Sequence, residues 1–147
     1  MALYNIPDLD LNTNVCEFTK SLKSLEVKTF HKSVSFINYL PYGRNQNRNF
    51  KSVLEEKRGT CSSKHALLAK IALNHDCPIN LYLGFFEMNA INNPEVAEVL
   101  SKNGLKYILE GHCYLGYKKN RVDITFSKRS TLSFSILEEM TIKPIDI

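Results

Sequence analysis

Residues 57–68 read Lys57-Arg58-Gly59-Thr60-Cys61-Ser62-Ser63-Lys64-His65-Ala66-Leu67-Leu68, and Ala69, Ile71 and Ala72 follow. A glycine turn leads into a cysteine, and small and apolar residues come after it. The spacing predicts a helix from Gly59-Thr60 to about His75, stopped by Pro78. The body of that helix is apolar enough for a core, while its N-terminus faces an opening. Unpaired N–H groups and the helix dipole at that end favour a thiolate. Ser62 and Ser63 leave the sulfur accessible. A cysteine merely packed at a helix start has the same local pattern, so the flanking chain must decide.

N-terminal to this segment the apolar period is helical. Asn12 and Thr13 can cap a helix carrying Val15, Phe18, Leu22 and Leu25. A second helix is predicted from Thr29 to Tyr39, with Phe30, Val34 and Ile37 on one face, ended by Pro41 and Gly43. Residues 43–50 read as a polar, Asn/Arg-rich loop. After Pro78 the period shortens. Ile79 to Met88 reads as a buried strand, and Asn93-Pro94-Glu95 opens a helix ending near Gly104. Tyr107–Tyr117 and Arg121–Phe126 read as strands around a Gly116-to-Asn120 turn. Thr131–Ile136 alternates, with Leu132, Phe134 and Ile136 on one face. Helices first, then mainly antiparallel strands, define an α+β protein with its N-terminal helices packed on the sheet.

The chain has 147 residues, which suits one domain over 1–147: a helical extension to residue 28 and a core of about 29–137. With 44% hydrophobic and 23% charged residues it is neither disordered nor fibrous. No apolar run approaches the roughly 18–20 residues of a membrane span, and the first residues do not read as a signal peptide. Cys16, Cys61, Cys77 and Cys113 show no CxxC spacing, which argues against structural zinc. Free thiols in a reducing, cytoplasmic compartment are expected. The net charge is +4. Its densest stretch, Lys118, Lys119 and Arg121 followed by Lys128 and Arg129, reads as a solvated hairpin tip more than a phosphate-binding patch.

A cysteine nucleophile wants a histidine base, and that base wants a group to fix its tautomer. His112 in Glu110-Gly111-His112-Cys113-Tyr114 and Asp123 in Arg121-Val122-Asp123-Ile124-Thr125 fit those roles. Pairing His112 opposite Asp123 requires a four-residue loop, Gly116 to Lys119. Any even loop keeps the two on one sheet face, although a two-residue loop at Lys119-Asn120 would separate them too far to bond directly. Cys113, Val122 and Ile124 then face the core.

The ordered set Gly59-Thr60-Cys61, His112 and Asp123-Ile124-Thr125-Phe126 resembles the transglutaminase-like superfamily of papain-like cysteine enzymes, over roughly residues 30–126. Cys113 and Ile124 stand where that pattern more often has an aromatic or small residue and a proline. The resemblance implies a papain/transglutaminase-like core and a Cys61–His112–Asp123 triad. It also suggests the Cys61 backbone N–H as one oxyanion donor, with no cofactor or metal required. The second donor is expected from the loop before the helix, where Asn45, Gln46, Asn47 and Asn49 offer side-chain amides, Asn45 being the first choice. Tyr42, Arg44 and Tyr114 are expected to line the cleft. His65, one turn after Cys61, is a rival base or a cleft residue, and Lys64 reads as solvated helix surface.

The expected function is acyl transfer from a carboxamide or peptide bond through a thioester, as a peptidase, amidase, deamidase or transferase. Its partner would be a peptide, a protein or a small amide, with no membrane involved; a nucleic-acid-binding module is the weaker reading and requires Lys118, Lys119, Arg121, Lys128 and Arg129 to form one patch. The alternative is a non-catalytic transglutaminase-like domain that binds a peptide or protein in the same cleft.

Overall fold

A computed structural model describes residues 5–13, 16–47, 49–127 and 132–146. The first helix, α1 (Glu17–Ser24), starts from Cys16 rather than from Asn12 or Thr13. Those two instead close a turn on Asp10: the Asn12 N–H donates to its Oδ1 at 2.9 Å and the Thr13 hydroxyl to its carbonyl at 2.8 Å. Phe18 and Leu22 are buried, whereas Leu25 falls beyond the helix and is exposed. Val15 lies outside the described residues. α2 (Phe30–Tyr39) is capped by Thr29 and buries Phe30, Val34 and Ile37. A short α3 (Ser52–Glu56) follows the polar loop.

α4 (Cys61–Asn74) is the central helix. Thr60 accepts from the Ser63 N–H, and the Ser63 hydroxyl accepts from the Thr60 N–H, forming a capping box. The helix buries Ala66, Leu67, Leu68, Ala69, Ile71 and Ala72. It stops before Pro78, because His75 caps it and Asp76 turns into the left-handed region at φ 53°.

The strands are β1 (Asn80–Met88), β2 (Ile108–Tyr117), β3 (Asn120–Val122) and β4 (Glu138–Ile142). They form one antiparallel sheet in the order β3-β2-β1-β4. Between β1 and β2, Asn93 caps a 3-10 turn (Pro94–Val96) that runs into α5 (Ala97–Lys102).

Two sequence expectations about strands need correction. β3 ends at Val122, so 123–126 leaves the ladder. Residues 132–136 form no ladder either. Phe134 and Ile136 are half-buried while Ser133 and Ser135 are exposed, so the alternation is real without strand pairing. Pairing resumes at β4, whose Glu138, Glu139, Met140 and Thr141 are all exposed.

Period-two alternation divides the sheet into two faces. Leu81, Cys113, Leu115 and Val122 face the helices and join one core with Leu67, Leu68 and Ile71 of α4. Ile6, Leu11, Phe18, Leu22 and Val27 enter that same core. The first 28 residues are therefore no separate extension, and the sheet continues past residue 137. His112, Tyr114, Tyr82, Arg121 and Glu139 occupy the opposite face, around Gly84. A Cβ on Gly84 would come within 2.6 Å of the Tyr114 hydroxyl, so glycine is what lets that ring lie across β1.

Candidate active site

Gly59 fixes the approach to α4. Its N–H donates to the Pro41 carbonyl and its carbonyl accepts from the Gly43 N–H, at 3.3 and 3.2 Å. A Cβ there would meet Lys64 Cγ and Ser63 Oγ at 2.9 Å. Cys61 thus begins the helix, as a partly exposed free thiol.

His112 is buried and donates from Nε2 to Asp123 Oδ2 at 2.8 Å. The Cys61 side chain lies close enough to this ring to favour its protonated form. With Nε2 committed to the carboxylate, Nδ1 is the nitrogen left for sulfur. Phe134 packs edge-on at 4.9 Å and Phe86 at 6.3 Å between ring centroids. Burial works against the imidazolium. The bond to Asp123 and the nearby Cys61 outweigh it and raise the His112 pKa to about 9.

Asp123 is the other anchor. Burial alone would raise its pKa, but the His112 bond and the Thr125 hydroxyl bring it to about 2. Its Oδ1 accepts from the Thr125 hydroxyl at 2.6 Å and the Thr125 N–H at 3.0 Å. Thr125 carried no assigned role in the sequence. Its signal is the two-residue spacing from an aspartate, which suits a local side-chain-to-backbone turn.

The hairpin register differs from expectation by two residues. Leu115 pairs with Val122 and Tyr117 with Asn120, leaving a two-residue turn at Lys118-Lys119. Asp123 therefore follows the ladder diagonal to His112, rather than opposite it. An even loop length still leaves both side chains on one face, and they bond directly.

His65 does not line the cleft and is not a rival base. It is fully buried behind Cys61. Its Nε2 accepts from the Ile124 N–H at 2.9 Å, so Nδ1 carries the proton and donates to the Cys61 carbonyl at 2.6 Å. Burial lowers its pKa to about 4, against the pull of Asp123. Lys64 is also fully buried instead of solvated. Its Nζ donates to the carbonyls of Leu40 at 2.6 Å and Thr125 at 3.1 Å. These two polar side chains fasten the first turn of α4 to the segment carrying Asp123.

The polar loop serves structure first. Asn45 uses its amide N–H groups on the Arg58 carbonyl at 2.9 Å and Glu56 Oε2 at 3.3 Å, and its oxygen accepts from Ser63 Oγ at 3.1 Å. It has no donor left for an oxyanion. The Gln46 side chain is exposed, and its backbone N–H donates to Glu56 at 3.0 Å. Glu56 organises this loop, and no sequence pattern marked it. Arg44 and Asn45 line a cleft of about 430 Å3 with Asn47, Asn49, Thr60, Ser62 and Ser63. Cys61 is not in that lining, so the cleft flanks the sulfur rather than containing it.

Tyr42 is exposed and packs on Phe126 at 5.3 Å. Partial burial raises its pKa, and Cys61 and Glu110 nearby add to the rise. Tyr114 is fully buried, donates its hydroxyl to Glu139 and stacks on Tyr82, so it does not line an open cleft. Cys113 faces the core as expected, and burial pushes its thiol up to about 12.

Arg121 pairs with Glu139 and lies 4.2 Å from the centre of the Tyr82 ring, so it is not a free phosphate ligand. Lys128 and Arg129 lie outside the described residues. Among the described residues no group of three side chains is arranged to hold a metal ion, and no helix is long and apolar enough to cross a membrane. Compared with family models, curated proteins and solved structures, the chain matches none of them.

Proposed function

We propose that the chain is a cysteine-dependent acyl-transfer enzyme with a transglutaminase-like, papain-like core, acting on a carboxamide or peptide bond. The observation that carries this reading is His112 bonded to a buried Asp123 carboxylate at 2.8 Å, with Cys61 at a helix start near enough to bear on the charge of that ring. A protonated His112 supplies the counter-charge that a thiolate at Cys61 needs. This pairing favours catalysis over the alternative of binding alone.

In the reaction the sulfur attacks the carbonyl carbon and a C–S bond forms. Negative charge develops on the carbonyl oxygen. The backbone N–H groups of Cys61 and Ser62 are first-turn donors that α4 leaves unbonded, and they face this charge in place of the Asn45 amide. His112 gives its proton to the leaving nitrogen, the C–N bond breaks and a thioester remains. Water or an amine then attacks the thioester while His112 accepts its proton. Collapse expels the sulfur, and Asp123 holds the ring in one tautomer throughout.

Alkylation by iodoacetamide near pH 6, read at each cysteine by mass spectrometry, tests the proposal. Cys61 is expected to react faster than Cys77, which is also partly exposed. Reaction of Cys61 no faster than Cys77, or amidase activity surviving Cys61→Ala, would overturn it.

A further inference from the structure

β2 outruns β3. Residues 108–116 of β2 all pair with β1, but only Leu115, Gly116 and Tyr117 pair with β3. The N-terminal half of β2 therefore has an open edge. In an antiparallel ladder the N–H and C=O of one residue point to the same neighbouring strand, alternating along the chain. The two-residue turn makes Tyr117 and Asn120 a hydrogen-bonded pair, so Tyr117 and every second residue before it face the β3 side. The far side of β1 agrees. The Phe85 carbonyl accepts from the Leu137 N–H at 2.8 Å, on the β4 side, so the even-numbered residues of β1 are those that bond β2. Leu109 and Gly111 thus direct their N–H and C=O groups to the open edge, where no partner among the described residues meets them.

This edge runs into the candidate active site, because His112 is the next residue along. Tyr42 ties the same region together, lying within electrostatic reach of both Glu110 on this stretch and Cys61. Exposed edges are usually guarded by lysine, proline or a covering element. Here the stretch is Ile108-Leu109-Glu110-Gly111, preceded by the exposed Leu105 and Tyr107.

We propose that this edge is the substrate-binding strand: an extended peptide pairs its backbone with Leu109 and Gly111 and is thereby carried to Cys61. The inference rests on the catalytic reading and narrows its substrate class to unfolded peptide or an extended protein segment. Two donors and two acceptors at alternate residues match a peptide backbone, whereas a small amide leaves most of them unmet. The apolar side chains around them suit a peptide's own side chains with little sequence demand.

The test is alkylation of Cys61 by iodoacetamide at about pH 8.5, where an ordinary thiol also reacts. It is run with and without a pool of mixed-sequence octapeptide amides at about 1 mM. The peptides are expected to slow Cys61 alkylation at least about fivefold, while the same pool N-methylated at alternate residues gives no protection. Leu109→Pro removes an N–H that faces away from β1 and is expected to abolish protection, whereas Leu109→Ala keeps it. Equal protection by both pools, or none by either, overturns the inference. So does an edge-to-edge dimer that excludes the peptides. Since this readout needs no activated thiol, it stands apart from the pH 6 experiment. Slow alkylation there counts against catalysis alone.

Discussion

Asp123 has a histidine on each side, and the two differ in charge. On the strand side, His112 donates to Oδ2 at 2.8 Å and holds its proton to about pH 9. On the helix side, His65 Nε2 lies 3.7 Å from Oδ1, yet its pKa falls to about 4. Complete burial of the His65 ring is the largest cause, against the pull of Asp123. The Ile124 N–H already donates to the His65 Nε2 and leaves no place there for a second proton. His112 instead has a carboxylate facing its Nε2, which favours the charged ring. The comparison teaches that burial and the group facing each ring nitrogen together set a histidine's charge: His112 holds a proton beside Asp123, while the neutral His65 fastens the helix.

The largest effect should come from removing the proton-bearing ring. His112→Ala is expected to slow Cys61 alkylation near pH 6 by about 100-fold with the fold intact, as read by mass spectrometry and a thermal melt. Asp123→Asn keeps the shape and removes the charge. It should lower the rate by about tenfold near pH 7.5 and move the alkaline limit below about 9, as a pH–rate profile would show.

His65→Phe sharpens the contrast, because its effect should fall on stability. The Ile124 N–H and the Cys61 carbonyl lose their partner, at a cost of about 2–4 kcal/mol in denaturant unfolding. The shape of the alkylation pH profile should not move. A profile that loses its alkaline limb in this variant would give His65 a direct part in the chemistry.

The smallest effect is in the pH dependence of stability, where the two histidines have opposite signs. The folded protein protonates His65 near 4, while the ordinary value is 6.5. Between these values only the unfolded chain binds the proton, so stability falls as pH drops from 6.5 toward 4. For His112 the folded value of about 9 exceeds 6.5. Its contribution is full below 6.5 and is lost as pH rises through about 9. Melting curves across pH should show His65→Phe flattening the acid limb and His112→Ala the alkaline one.

The parts of this arrangement that were legible in the sequence rest on periodicity. The 3.6-residue period placed α2 and α4 and set Cys61 at a helix start. The two-residue period put His112 and Asp123 on one face whatever the even loop length. Register was not legible. Gly116 drew the expected turn toward itself, yet it stays in β2, where a Cβ would come within 2.4 Å of the Tyr82 ring. The turn instead places Lys118 in the left-handed region at φ 53°, a position lysine does not advertise. β4 escaped notice because its exposed edge lacks apolar alternation, and α3 because five residues hold too little period. Lys64, His65 and Asn45 were misplaced for one reason. Their polar ends bond backbone carbonyls, a backbone N–H and a carboxylate that only the folded chain brings near.

The central claim is that the His112 ring is an imidazolium joining Asp123 to Cys61. Titrating the ring nitrogens of uniformly 15N-labelled protein by NMR tests it most directly, with assignment by His112→Ala. The account predicts two protonated ring nitrogens at neutral pH and a midpoint near about 9, displaced in Asp123→Asn and in Cys61→Ala. A neutral ring at pH 7.5 that titrates at or below 6.5, indifferent to both substitutions, would contradict it.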